Sequence, residues 1–541
     1  MTPSTRANWV LRIAEPETHA PVVTTRTAFT RSAAGRLLPP SAVLALAAYL
    51  RFRQLTAVGF NSDEAVYTGS AQALAGHRAL ESMFPIFRAH PILVQLIIAQ
   101  ALRISDTDWS ARAVTAGFGV LAVWLTYLLG ARLYGRAAGL AAAGLLAVMP
   151  YHVLVSRQVL LDGPMTCFGV LSLYCVVRAV DDAPRRWIAA AGAALGLAAL
   201  SKETAVVLAG GLFVFGVVAA TGRLRPRHLP IGLGVFLVVF SAYPLGVKLA
   251  GASSTGQNFL LWQLLRRANH PLWFYFTTLP SAIGPAVLLL AALALITQRS
   301  RLGWRERLLV CWTVVPALFF TFWPVKGYQY LLPVAPALTV LAAVPIARLW
   351  NTRHGVLPRR LERLPLSRGV RGALLPVAAP LLALGVMATL FVPTWQQTSP
   401  STSTAFLAGT GGLPGGRAAG QWIAGHIPEG AQLLGGGPSI ANVLEYYGDH
   451  PVGALSVSTD PRDRNPVYHP VPNPDLAVRA GEYQYLVWDS FTAARTPYFA
   501  AELRRLVDRY HGVAVYTGTV PVSTAIGAAP VPVIIIYEVH P

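Results

Sequence analysis

Two carboxylates stand side by side in "NSDEAVYTGSAQALAG", Asp63 and Glu64, in a chain that has 24 acids among 541 residues. A fixed carboxylate can take the proton of a hydroxyl as that hydroxyl becomes a nucleophile, which is general-base chemistry. Other reactive side chains recur in short stretches between apolar runs. "SRQVLLDG" supplies Arg157 and Asp162, "LSKETA" supplies Lys202 and Glu203, and "WPVKGYQYLLPVAP" supplies Lys326, Tyr328 and Tyr330. "FRAHPIL" and "LLRRANHPLWFYFTTLP" add Arg88, His90, Arg266, Arg267, His270 and the aromatics Trp273 to Phe276. Fixed cations suit a phosphate, a carboxylate suits a base, and aromatic faces suit a sugar ring or a prenyl chain. A lipid-linked phosphosugar would use all three.

Each stretch also has a plainer use. Ser62 reads as a helix N-cap, with Asp63 and Glu64 favouring the positive first turn. The residues after it read as an amphipathic interfacial helix that turns Ala65, Tyr67 and Ala73 toward lipid or protein. Arg157 suits a snorkelling rim cation, and tyrosines at an outer turn suit an aromatic belt. Asp162 is harder to set aside, because a carboxylate opening an apolar helix is costly unless it pairs or faces water. His90 and His270 are the metal-ligand candidates, able to join a carboxylate around a divalent ion; no other cofactor is expected.

The elements that must hold these residues are membrane spans. The chain is 54% hydrophobic and 13% charged, with a mean hydropathy of +0.48, whereas soluble domains carry about 25% charged residues. Hydropathy predicts about eleven transmembrane helices of roughly 15 to 22 residues each. They fall near 37–53, 110–131, 137–155, 162–179, 187–201, 203–221, 229–249, 280–298, 308–323, 331–348 and 372–394. The net charge of +20 does not point to nucleic acid, because Arg and Lys cluster between apolar runs in "ARLYGR", "GRLRPRH" and "RHGVLPRRLERLPLSRGVR". That pattern marks cytoplasmic loops. It puts the N-terminus in the cytoplasm and nearly every reactive residue on the external face of a multi-pass cell-membrane protein.

Four regions follow. Residues 1–36 form a disordered cytoplasmic tail with no cleavable signal peptide, and 37–394 form the transmembrane domain with a long first loop, 54–109. Residues 395–417 form a Ser/Thr/Gly-rich linker, and 418–541 form a small external α/β domain. Within that domain "AAGQWIAGHI" and "YFAAELRRLVDRY" have helical spacing, while "YQYLVWD", "GVAVYTG" and "VPVIIIYEV" read as strands. Cys167, Cys175 and Cys311 lie in apolar runs and offer no disulfide framework. "GTGGLPGG" makes a poor dinucleotide fingerprint, since no strand precedes it, and the chain has no P-loop.

The stretches "SDEAVY", "HPIL", "SARAVTA", "SRQVLLD", "LSKET" and "KGYQYLLPVAP" occur in an order and spacing that resembles the GT-C glycosyltransferases. The chain resembles specifically the branch with the protein O-mannosyltransferases and the lipid A aminoarabinose transferases. The resemblance covers residues 40 to 350. It implies a polyprenyl-phosphate sugar donor, inverting transfer outside the membrane, Asp63 as base and Asp162 as an organiser of the site. It further implies Lys202, Lys326 and Arg88 as phosphate-side cations. Two departures stand out. "AHPI" replaces a usual Glu-Lys-Pro-Pro, so Ala89 stands for a glutamate and His90 for a lysine, and a metal role loses support. Gln329-Tyr330 replaces a usual Arg-Tyr.

The predicted activity is single displacement: Asp63 deprotonates an acceptor hydroxyl, with Glu64 orienting the acceptor or Asp63, while polyprenyl phosphate leaves. Arg88, His90, Arg157, Lys202, His270, Lys326, Tyr328 and Tyr330 are the substrate-binding candidates. The acceptor is a glycan, a lipid or a protein. The rival readings are a polyprenyl-lipid flippase or transporter, which would place charges near the bilayer midplane, and a non-catalytic glycan-binding subunit.

Overall fold

The computed structural model describes residues 33–86, 89–182, 184–218, 226–251, 259, 262–298, 302–352, 368–399, 412–524 and 527–540. The predicted tail, most of the linker and Arg88 lie outside the described residues. Pro40–Pro541 form one compact unit.

The helices run α1 (Ala33–Phe52), α2 (Ser62–Ala75), α3 (Arg78–Met83), α4 (Leu93–Ile104), α5 (Asp108–Tyr134), α6 (Arg136–Val148) and α7 (Pro150–Ser156). Then come α8 (Asp162–Asp181), α9 (Pro184–Ser201), α10 (Val206–Val218), α11 (Leu229–Phe240), α12 (Ala242–Leu249), α13 (Phe274–Ile283) and α14 (Pro285–Gln298). The helical part closes with α15 (Trp304–Phe322), α16 (Ala335–Thr352) and α17 (Arg368–Gln397). Among the described residues five helical spans are long and apolar enough to cross a membrane, or seven if each bent pair is one span. The chain is a mainly helical, multi-pass membrane protein.

Two predicted spans are not straight. The 137–155 window breaks between α6 and α7 by 61°, and the 280–298 window breaks between α13 and α14 by 99°. Both breaks sit at a proline that opens the second helix, Pro150 and Pro285, where the ring excludes the preceding turn and the N–H is missing. Gly284 has φ 96, a conformation glycine adopts freely, and it makes the sharper corner. At the first break the freed carbonyls of α6 are taken by Arg51. Its side chain is buried and donates to Ala147 O at 3.1 Å, to Ser156 Oγ at 3.1 Å and to Ala47 O at 3.0 Å, and it meets His152 Nδ1 at 2.8 Å. One buried cation therefore staples α1 to the corner. Elsewhere spans touch through small residues, as where a Cβ on Gly192 of α9 would collide with the Gly232 carbonyl of α11. Close backbone approach of this kind is how helices gain contact where lipid removes the hydrophobic drive.

After α17 come α18 (Gly416–His426), β1 (Leu433–Gly435), α19 (Pro438–Gly448), β2 (Val452–Ala454), α20 (Pro474–Arg479) and β3 (Tyr485–Asp489). They are followed by α21 (Ser490–Arg495), α22 (Pro497–Arg509), β4 (Val513–Thr524) and β5 (Gly527–Glu538). The strands make one sheet in the order β2-β1-β3-β5-β4. β1 is parallel to both β2 and β3, and β5 is antiparallel to β3 and β4. β3, β4 and β5 fall on the predicted strands. β1 and β2 have three residues each, too few for a period to show.

Of the two surroundings its sequence left open, lipid or protein, the first-loop helix α2 meets protein. Ala65 and Ala71 are buried in one apolar cluster with Ile98 of α4, Val443 and Leu444 of α19, and Val487 of β3. Polar contacts fix the same junction: Asn442 Nδ2 donates to Ser62 Oγ at 2.8 Å, and Tyr447 OH accepts from Phe60 N–H at 3.0 Å and donates to Asp108 at 2.7 Å. α2 is thus held between the helical bundle and the α/β layer.

Candidate active site

The N-cap of α2 is Asn61, not Ser62. Its side chain accepts from Glu64 N–H at 3.0 Å, and Glu64 Oε2 accepts from Asn61 N–H at 3.1 Å, a reciprocal capping box. Arg112 of α5 grips the same carboxylate with two parallel bonds, Nε to Oε1 and Nη2 to Oε2, each 2.7 Å. Val159 N–H adds a fourth donor at 3.0 Å. Arg112 spends its remaining donors on the carbonyls of Leu55, Val58 and Gly59. Glu64 is completely buried and saturated. This corrects its reading as an acceptor-orienting acid that faces substrate: it pins the start of α2.

Asp63 is one residue earlier and points elsewhere, because neighbours on a helix are turned by about 100°. It is half-buried and lines a cavity of about 340 Å³. Among the described residues its carboxylate has no hydrogen bond and no ion pair. Burial raises its pKa above the ordinary carboxylate value, opposed by the nearby charges of Lys202 and His90. An unpaired carboxylate at a cavity wall, held more basic than usual, can accept a proton.

The acids around it are already matched. Lys202 Nζ donates to both oxygens of Asp162, at 3.0 and 2.8 Å, with both side chains buried. Lys202 also lies 4.6 Å from the centre of the Tyr330 ring. His90 Nδ1 meets Glu203 Oε2 at 2.9 Å. Asp162 at the start of α8 thus escapes the cost of an unpaired charge by pairing.

The same cavity is lined by His270, Lys326, Tyr328 and Tyr330. Asn269 fixes the Lys326 backbone, its Oδ1 accepting from Lys326 N–H at 2.8 Å and its Nδ2 donating to Lys326 O at 2.9 Å. Lys326 Nζ donates only to carbonyls, Trp323 O at 3.0 Å and His270 O at 3.5 Å, so among the described residues this cation has no anionic partner. Burial lowers its pKa; burial, Lys326 and Arg495 lower that of His270. The α/β layer closes the cavity with Ser439, Phe491 and Arg495. Nothing in the sequence tied these three residues to Asp63. Arg112 could have been noticed, since an arginine inside an apolar span needs a partner.

Three expectations change here. Arg157 does not face the cavity; it donates to Leu50 O and Arg53 O at 2.8 Å, capping the carbonyls at the end of α1. Tyr328 lines the cavity, but its carbonyl accepts from Tyr151 OH at 2.6 Å and its ring packs edge-on against Tyr151. No group of three or more His, Cys, Asp or Glu side chains gathers among the described residues. His90 is spent on Glu203, and His270 stacks on Phe274 among cations. Among the described residues neither histidine has the further ligands that a divalent ion would need.

Residues 89–244 match the family described as dolichyl-phosphate-mannose-protein mannosyltransferase. An undecaprenyl phosphate-α-4-amino-4-deoxy-L-arabinose arabinosyl transferase of Pectobacterium carotovorum is 26% identical over 251 residues, 44% of this chain and 40% of that protein. One from Pseudomonas fluorescens is 28% identical over 260 residues, 46% and 47% of the two chains. The chain thus spans less than half the length of these curated relatives. Among solved structures, ArnT of Cupriavidus metallidurans in the apo state aligns with a TM-score of 0.64 at 18% identity, covering 93% of this chain and 98% of that one. The same protein bound to undecaprenyl phosphate aligns with a TM-score of 0.63 at 17% identity, with the same coverage. The fold is that of the GT-C glycosyltransferases. The alignment runs through both the helical bundle and the α/β layer of this GT-C fold. The family match takes in His90, Asp162, Lys202 and Glu203 but not Asp63 or Lys326.

Proposed function

We propose that the chain transfers a sugar from a polyprenyl-phosphate donor to a hydroxyl acceptor at the external face of the membrane, with inversion. The observation that carries this reading is the unpaired Asp63 carboxylate on the wall of a cavity that Lys326, a cation without an anionic partner among the described residues, also lines. The acceptor O–H proton passes to Asp63 as the new O–C1 bond forms and the C1–O(phosphate) bond breaks. Polyprenyl phosphate leaves with the bonding pair from the opposite face, and Asp63 later returns its proton to water. One base suffices and no covalent intermediate is needed.

Lys326 stabilises charge growing on the leaving phosphate, in a site where water is partly excluded. Lys202, neutralised by Asp162, serves the site as a fixed dipole under Tyr330, and it keeps the Asp63 field in balance with His90. Undecaprenyl phosphate bound to ArnT supports the lipid class of the donor. The arrangement of about eleven spans with cytoplasmic N-terminus and external α/β domain is supported by the loop charges. A flippase is disfavoured because the charges gather at one end of the spans.

The test is release of labelled sugar from a panel of polyprenyl-phosphate sugars by the purified chain in lipid nanodiscs. Release that Asp63→Asn abolishes supports the reading; equal release by both proteins sinks it.

A further inference from the structure

The α/β layer brings a cation of its own to the Asp63 cavity. Asp489 ends β3, is 2% exposed, and caps α21 by accepting from Thr492 N–H at 2.7 Å. Thr496 Oγ donates to Thr492 O at 3.0 Å and ties down the other end of this helix. Phe491 and Arg495 are four residues apart on the short helix so held, hence on one face, and both line the cavity. The exposed Arg495 guanidinium lies 5.0 Å from the Phe491 ring centre, and among the described residues no carboxylate pairs with it. Its place in the last turn of α21 suits the helix dipole. The dipole explains a basic residue there but not its opening on the cavity.

Charge around the cavity is sorted. Lys326 and Arg495 both act on His270 and, with burial, keep its ring neutral, whereas the groups that oppose burial at Asp63 are Lys202 and His90. Behind the wall the charges cancel in pairs, Asp162 with Lys202, Glu203 with His90 and Glu64 with Arg112. What remains on the lining is Asp63 against Lys326 and Arg495, a surplus of one positive charge. A sugar phosphodiester carries one negative charge and matches that surplus. When the C1–O bond breaks with its electron pair on the phosphate oxygen, the leaving monoester carries about −1.5 to −2 near pH 7. In the same step Asp63 takes the acceptor proton and becomes neutral, so the lining is left with two positive charges. Lys326 alone would leave half of the new anion unmatched.

We infer that Arg495 is the second phosphate cation of this cavity: together with Lys326 it holds the polyprenyl phosphate, through the paired N–H groups of its planar fork. The inference rests on the transferase reading above and adds the α/β layer to donor binding. Because the charge on phosphate grows as the bond breaks, both cations bind the leaving group more strongly than the intact donor, which is the condition for lowering the barrier.

Equilibrium binding of tritiated undecaprenyl phosphate to the full chain, in nanodiscs of zwitterionic phospholipid, tests this. Arg495→Ala is expected to weaken binding by at least about tenfold, the low end for a hydrogen bond to a charged group, and Arg495→Lys to recover part of the loss. Arg504→Ala, which removes an exposed charge of α22 that does not line the cavity, binds as the wild type does. Tritiated undecaprenol, which lacks the phosphate, binds equally to wild type and Arg495→Ala. Should Arg495→Ala fail to fold, Arg495→Gln serves the same comparison. Unchanged phosphate affinity in the Arg495 variants, an equal loss in Arg504→Ala, or an equal loss for undecaprenol would each overturn the inference. Sugar release with phosphate affinity indifferent to Arg495 overturns the inference and leaves the transferase standing. Arg495-dependent phosphate binding with no donor ever cleaved supports the cation and removes the transferase.

Discussion

Arg112 holds Glu64 by two hydrogen bonds of 2.7 Å each, and through that grip fixes the first turn of the helix on which Asp63 stands. Two adjacent acids thereby have different work. One is consumed in building the turn, and the other is left over at the cavity.

Asp63→Asn is expected to lower transfer by about 10²–10⁴-fold, the usual cost of losing a positioned base. Its thermal midpoint in detergent should stay near that of the wild type, because the side chain has no partner to lose. Turnover within tenfold of wild type on the true substrates rejects Asp63 as the base.

Glu64→Gln should behave in the reverse way. It leaves the Arg112 guanidinium buried without its counter-charge, and breaking a buried pair on one side costs about 3–5 kcal/mol. Thermal unfolding of the solubilised protein reads this as a clear drop in midpoint. Activity should fall with the folded fraction. A stable Glu64→Gln protein with no activity would assign Glu64 a direct catalytic part instead.

The acid limb of kcat/KM should lie above the ordinary aspartate value of about 3.9. Burial raises the Asp63 pKa against the opposing fields of Lys202 and His90. The base works ionised, so activity is present above the raised pKa and is lost as pH falls through it. A pH profile of initial rates checks this, and a limb that is unchanged in residual Asp63→Glu activity points to another group.

Lys326→Gln should weaken the donor complex. A charge-assisted hydrogen bond contributes about 1.5–3 kcal/mol, so donor KM should rise roughly 10- to 150-fold, while Lys326→Arg restores part of it. Titration with polyprenyl phosphate in nanodiscs measures the same loss without turnover. Unaltered lipid affinity in Lys326→Gln would move the phosphate away from this ammonium.

Much of the site could be read in the chain. The hydropathy windows fall on helices, and Asp63, His90, Lys202, His270, Lys326 and Tyr330 were all singled out by type and position. The pairings were not visible. Nothing local distinguishes Arg157, which caps α1, from Lys326, which faces the cavity, since both are cations beside an apolar run. Ser62 and Asn61 are equally good caps by type; the choice fell to Asn61 because Glu64 three residues on completes its box, while Ser62 is engaged by Asn442.

The sequence by itself determined a helical membrane protein with reactive residues at the ends of its spans, because apolar length and charge placement are local properties that the bilayer reads directly. It determined the strands β3, β4 and β5 for the same reason, by short-range pattern. Only the tertiary structure decided which acid stays unpaired. Glu64 meets Arg112 across 48 residues and Lys202 meets Asp162 across 40. It alone brought Ser439, Phe491 and Arg495 to the cavity of Asp63, because α2 buries its small residues against α19. Charges cancel by distance in space, and no spacing along the chain encodes that distance.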